Sequence, residues 1–340
     1  MRTGPRWPFA LLAALGVALL LLHLLIGSVP IPFAEVLGAL AGRATNEAYH
    51  ADIVRSVRLP QAITALLAGA GLAASGLLMQ TLFRNPLAGP SVLGISSGAS
   101  LGVALLMLAR PLWAFVPLPH DLALIAGALT GAMGVLVLIL MADRRVGDGI
   151  TLLIIGLMVG YLCSALISVL QVASPEGALK GFVLWGMGSF AGVPMDRLPW
   201  LALPVLAGLA ASLWLVKPLN ALLLGEEEAA TLGVTVPRSR RHIMWITGVM
   251  AGTITAFCGP IAFLGLATPH VARGLFRTSD HGRLMPATML CGAVLALGCD
   301  LIARSPGVAA AIPLNAVTSL LGAPVVAWVL LSGKRWARAA

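Results

Sequence analysis

Apolar residues run together along this chain in long stretches separated by short polar turns. The stretches cover residues 9–28, 59–82, 91–109, 121–142, 150–173, 197–216, 241–258, 260–276, 284–303 and 313–331. An α-helix needs about 20 mostly apolar residues to cross a hydrocarbon core. The pattern therefore predicts an all-α polytopic membrane protein of about ten spans, forming a single transmembrane domain over residues 1–340. The most informative interruption is Arg84 to Gly98, RNPLAGPSVLGISSG, where a charge, an amide and two prolines separate two spanning stretches. Such a turn cannot face lipid, so it belongs at a membrane surface or along a protein-walled cavity.

Composition agrees. Hydrophobic side chains make up 59% and charged ones 10%, and the mean hydropathy of +0.96 lies outside the range of soluble domains. The first stretch is read as a span rather than a cleaved signal, because its apolar core from Phe9 to Ile26 is longer than a signal core and no small-x-small site follows it. Arg2, Arg6, Arg84, Arg144, Arg145, Arg238, Arg240, Arg241, Arg277, Arg283, Lys334, Arg335 and Arg338 fall on alternate loops. By the positive-inside rule these loops, and both termini, are cytoplasmic. This bias largely accounts for the net charge of +9 and removes any need for a nucleic-acid partner. Arg43, Arg55, Arg58, Arg110 and Arg304 then fall on the outer side, unexplained by topology.

Cys163, Cys258, Cys291 and Cys299 lie within spans without C-x-x-C spacing and read as small buried residues rather than a disulfide or metal site. Small residues recur along several spans: Gly69, Ala73 and Gly76 in the second; Gly94, Gly98 and Gly102 with Ser96, Ser97 and Ser100 in the third; Gly156, Gly160, Ser164 and Ser168 in the fifth. Two readings stay open, close helix packing or the lining of a wide, weakly polar pathway. The acidic residues lie in loops or at span ends, Asp300 included, which argues against an ion-coupled carrier. The 217–242 loop contains Gly225, three glutamates and Gly233 before Pro237, the pattern of a short surface helix that suits a partner's groove. No G-x-x-x-x-G-K-[ST] motif occurs, so any nucleotide hydrolysis belongs to another polypeptide.

Taken together, the segments Arg58 to Gly102, Trp185 to Phe190, Leu222 to Val234, Gly259 to Phe276, Asp280 to Pro286 and Leu320 to Leu331 resemble the FecCD family. These are permease subunits of type II ATP-binding-cassette importers for iron-siderophore, haem and vitamin B12. The resemblance implies ten helices in the bacterial inner membrane and a homodimer around a central pathway. It also implies two cytoplasmic ATPase subunits carrying ATP and Mg, and a periplasmic or lipid-anchored binding protein. This chain would bind no cofactor itself and catalyse no reaction. By that analogy Leu224, Gly225, Glu226, Glu227, Ala230, Leu232 and Gly233 form the ATPase-coupling segment, and Asn85, Pro86, Leu87, Gly149 and Ile150 the cytoplasmic gate. Ser96, Ser97, Ser100, Gly156, Gly160, Ser164 and Ser168 line the pathway, and Arg55, Arg58 and Arg304 dock the binding protein. The family's frequent cargo makes an iron chelate or haem the first expectation and cobalamin the next; an ion-coupled secondary transporter is the alternative class. Gln61, Ala311, Asn315 and Gly282 depart from the family pattern. His50 and His120, on the outer side, read as solvated rather than as haem ligands, and His270 as packing or bonding locally.

Overall fold

The computed structural model describes residues 7–27, 29–43, 47–109, 119–305 and 312–331. Among these there is no strand. The helices are α1 (Trp7–Leu25), α2 (Phe33–Leu40), α3 (Ala48–Asp52), α4 (Leu59–Leu82), α5 (Ile95–Leu108), α6 (His120–Val146), α7 (Gly149–Val172), α8 (Glu176–Gly186), α9 (Leu198–Trp214), α10 (Val216–Leu222), α11 (Glu226–Thr231), α12 (Val236–Cys258), α13 (Leu264–Phe276), α14 (His281–Ala303) and α15 (Leu314–Leu331). A π-helical turn, Ile53–Arg58, joins α3 to α4. Each predicted stretch contains a helix, and α4 has the predicted bounds. Among the described residues five helices are long and apolar enough to cross a bilayer, six if α9 and α10, bent by 58°, form one span.

The charged residues of α12 explain one difference. It begins at Val236, before the predicted apolar stretch, because Pro237 in its first turn fixes a helical φ and the turn through Arg240 and Arg241 is polar helix. Counting apolar residues does not see such a turn. Arg2, Arg6, Arg110, Ala311, Lys334, Arg335 and Arg338 lie outside the described residues.

α4 is the hub, buried almost continuously from Pro60 to Leu82 and packed against α14, α12, α13 and α9. Glycine permits that packing: a Cβ on Gly69 would sit 2.3 Å from the Gly292 carbonyl oxygen of α14. α5 meets α6 in the same manner, a Cβ on Gly102 falling 1.9 Å from the Gly127 oxygen. Backbones brought this close trade side-chain volume for dispersion contacts along the whole crossing. By contrast α1, α7 and α9 turn large apolar side chains outward, among them Val17, Tyr161, Val169 and Trp200.

Candidate functional site

One end of the bundle collects the C-terminus of α4, the α6–α7 turn, α11 and the start of α14. α4 stops because Arg84 adopts a left-handed φ of 45° and Asn85 turns the chain, its Oδ1 accepting the Leu87 N–H at 2.9 Å. Across from it α7 starts on Asp148, whose carboxylate accepts the Thr151 N–H at 2.8 Å and its hydroxyl at 2.7 Å. These bonds, the backbone one foremost, hold the Asp148 carboxyl below its ordinary pKa. Between the two turns lies a cavity of about 280 Å³ lined by Asn85, Pro86, Gly149 and Ile150 with Phe83, Arg84 and Leu153. Four of the five gate residues named from sequence thus meet in one hollow.

Leu87 faces the next hollow, also about 280 Å³, which runs past Pro90, Ser96 and Thr255 to Pro260 and Asn315. Ser96 and Pro260 are shared with a third hollow of about 390 Å³ that contains Ser97, Ser100, Ser164 and Ser168, together with Phe182 and Trp185. Ser164 and Ser168 donate to the Gly160 and Ser164 carbonyls of their own helix at 3.0 Å. Their hydroxyl hydrogens are therefore occupied, and the wall is small and weakly polar.

Two pathway residues named from sequence lie elsewhere. Gly156 is buried against the backbone of Val92 and Leu93, where a Cβ would come within 2.9 Å of both, and Gly160 sits against Ser97 and Gly94. Gly156 is a packing glycine. Sequence reasoning missed Thr255, Pro260, Phe182 and Trp185 as lining, although the WGMGSF segment offered a signal for Trp185. Asn315 was visible only as a departure. Its Nδ2 donates to Gly186 and Pro260 and its Oδ1 accepts from Ala262, knotting three segments beside the hollow.

A fourth hollow, about 470 Å³, opens at the opposite end around Gly188, Ser189, Arg58, Gln61, Asp300 and Arg304. Here the docking expectation meets a correction. Arg58 is 3% exposed, donating through Nη1 to the Leu24 and Leu25 carbonyls at 2.7 and 2.8 Å and through Nη2 to Val29. It fastens the end of α1 rather than facing outward. Arg304 is partly exposed, donates to the His23 carbonyl at 2.7 Å and pairs with Asp300. Arg55 is exposed, its Nε donating to Ala39. Asp300 was read from sequence as a span-end acid; it is buried and accepts from His23 and Gln61 at 2.7 and 2.8 Å. Gln61 thus serves Asp300 as a neutral donor.

The segment expected from sequence to couple to the ATPase is presented in part. Leu224 and Leu232 are more than 60% exposed, and Glu227, Ala230 and Gly233 are exposed. Gly225 is instead buried at φ 138°, where a Cβ would collide with the Glu228 carboxylate. Glu226 turns inward to Arg240, at 2.5 Å. His50 bonds Glu35 at 2.5 Å, while the side chain of His120 lies outside the described residues. Among the described residues no three His, Cys, Asp or Glu side chains are grouped to hold a metal ion.

Residues 14–332 match the FecCD transport family. The chain is 39% identical over 337 residues, 98% of its length and 96% of the relative's, to the vitamin B12 import system permease protein BtuC of Klebsiella pneumoniae. It is 39% identical over 289 residues, 83% of its length and 84% of the relative's, to the protein of the same name from Escherichia coli O9:H4. Among solved structures, an inward-facing conformation of a metal-chelate type ABC transporter aligns with a TM-score of 0.82 and 32% identity, over 94% of this chain and 97% of that one.

Proposed function

Because this chain belongs to the FecCD transport family, we propose that it is the permease subunit of an importer for a corrinoid of the vitamin B12 class, displacing an iron chelate or haem as the first choice of cargo. The observation that carries the cargo is the identity of 39% across 98% of the chain to a protein named for vitamin B12 import. The hollows between the Arg58–Arg304 end and Pro86 support it: the middle ones are lined by serines with Pro260, Phe182 and Trp185 and carry no charged side chain, so a bulky rigid solute is not held there by strong contacts. A second copy of the chain would face these hollows, as membership of the family implies. With ten membrane-crossing helices and both termini in the cytoplasm, α11 would face two ATPase subunits and Arg55 and Arg304 a binding protein outside the inner membrane.

Uptake is powered by ATP hydrolysed on the partner subunits, since this chain has no Walker motif. An ion-coupled carrier would need an acid near the middle of the membrane; Asp300 instead sits near the end of α14 with His23, Gln61 and Arg304 around it. The test is uptake into proteoliposomes holding the permease with its cognate ATPase and binding protein, offered radiolabelled cyanocobalamin, a ferric siderophore and haemin in turn. Vanadate-sensitive accumulation of cyanocobalamin is expected. Accumulation of only the iron compounds overturns the cargo, and accumulation driven by an ion gradient without ATPase overturns the importer.

A further inference from the structure

We propose that His270 is a positioning residue for the closure loop at Asn85–Leu87, holding it to α13 through a hydrogen bond from Nε2 to the Pro86 carbonyl. The bond is 2.8 Å long. A carbonyl only accepts, so Nε2 carries the hydrogen and the ring is held in that tautomer. The inference rests on the reading of this loop as the inner gate.

The bonding of the loop isolates this contact. The Asn85 N–H goes back to Gln80, and the Ala88 N–H to Asn85. The Leu87 N–H goes to the Asn85 side chain, and Pro86 has no N–H to give. These bonds all stay within α4 and the loop. The bond from His270 is the one that ties the loop to another helix among those the described residues show.

α13 is suited to carry such a tie because it is fixed to α4 on both sides of His270. Near its start, Gly76 of α4 crosses Gly265 so closely that a Cβ would lie 1.7 Å from the Gly265 oxygen. One turn beyond His270, Arg273 donates to the Gln80 Oε1 at 2.7 Å, and the Gln80 amide returns to the Leu266 carbonyl at 3.1 Å. The imidazole therefore projects from a braced helix onto the Pro86 carbonyl of the turn. Next to that corner Leu87 is 40% exposed and borders the second hollow. Its position then follows α13, and a shift of α13 between states would carry it across the pathway.

The experiment uses the full importer in proteoliposomes with cysteine introduced at Leu87. The four native cysteines are buried, which keeps the background of a membrane-impermeant thiol reagent low. With His270 intact, the labelling rate differs between the nucleotide-free and vanadate-trapped states. H270L keeps the volume but has no donor, and the ratio of the two rates is expected to fall toward 1, because the loop then no longer follows α13. H270Q places an amide nitrogen where Nε2 stood and retains the ratio; H270N falls short of Pro86 and loses it. A wild-type ratio in H270L overturns the inference. If H270L does not assemble, the H270Q and H270N pair decides, and equal ratios in the two overturn it. State-independent labelling with His270 intact overturns the gate reading itself, and the inference with it.

Discussion

Arg240 of α12 donates to Glu226 of α11 at 2.5 Å, and its other terminal nitrogen reaches Asp143 of α6 at 3.3 Å. The guanidinium and the Asp143 carboxylate are both buried, whereas the Glu226 side chain is 43% exposed. One cation thereby sets where the short α11 lies against the bundle. Removing it in R240M strands a buried carboxylate, a loss on the order of 3 kcal/mol, seen as a lower melting temperature in detergent. E226Q removes only the charge of the exposed partner and keeps an acceptor oxygen, about 0–1 kcal/mol. If the tie positions α11 for the ATPase, E226Q leaves melting unchanged and lowers the ratio of transport to ATP hydrolysis; an unchanged ratio denies Glu226 that role.

Gly76 and Gly134 offer a matched pair. A methyl at Gly76 meets the Gly265 backbone at 1.7 Å, and backbone cannot swing aside; at Gly134, on the outer face of α6, nothing lies within 4 Å. G76A is therefore expected to cost about 1–3 kcal/mol or more through overpacking. G134A should gain a few tenths to about 1 kcal/mol from reduced freedom of the unfolded chain. Melting temperatures that move in the same direction for both would contradict the close crossing of α4 and α13.

Much of this architecture was legible in the sequence because lipid imposes long apolar runs, and every such run holds a helix. α2 and α8 escaped notice, being too short to register as apolar stretches. Site residues divided along similar lines. Asn85, Pro86, Gly149 and Ile150 line one hollow, but no local spacing could have announced the His23–Asp300 bond, which joins residues 277 apart in sequence. Arg58 was misplaced because a charge in a loop is read as facing out, yet it satisfies buried backbone carbonyls, whereas Glu226 stays partly exposed while it pairs with Arg240.

Arg55 and Arg58 should accordingly respond in opposite ways. R58M orphans the carbonyls of Leu24, Leu25 and Val29. Bonds from a charged donor make that a loss on the order of 2 kcal/mol or more, read in thermal melting. R55E alters an exposed charge and should leave melting unchanged while slowing association with the binding protein, most strongly at low salt. Surface plasmon resonance on the permease in nanodiscs measures it. Association that is untouched by R55E at every salt concentration removes Arg55 from the docking surface.

Asp148 supplies a pH test of the hollow beside Asn85 and Pro86. Its carboxylate caps α7 immediately before Gly149 and Ile150, and the bonds from Thr151 lower its pKa in the folded chain. A depressed carboxyl pKa stabilises the fold in one direction only. The contribution is complete above the unfolded value, about 3.9, and is lost as pH falls through the lower folded value. Hydrogen–deuterium exchange of the first turn of α7 should therefore show protection that is constant from neutrality down to about pH 4 and declines only below it. D148A should lose that protection at every pH. D148N should keep it without the acid transition, because an asparagine oxygen accepts the same bonds and does not titrate. Protection in the wild type that already fades between about pH 7 and 5 would mean that another group, not Asp148, holds the start of α7 against the closure loop.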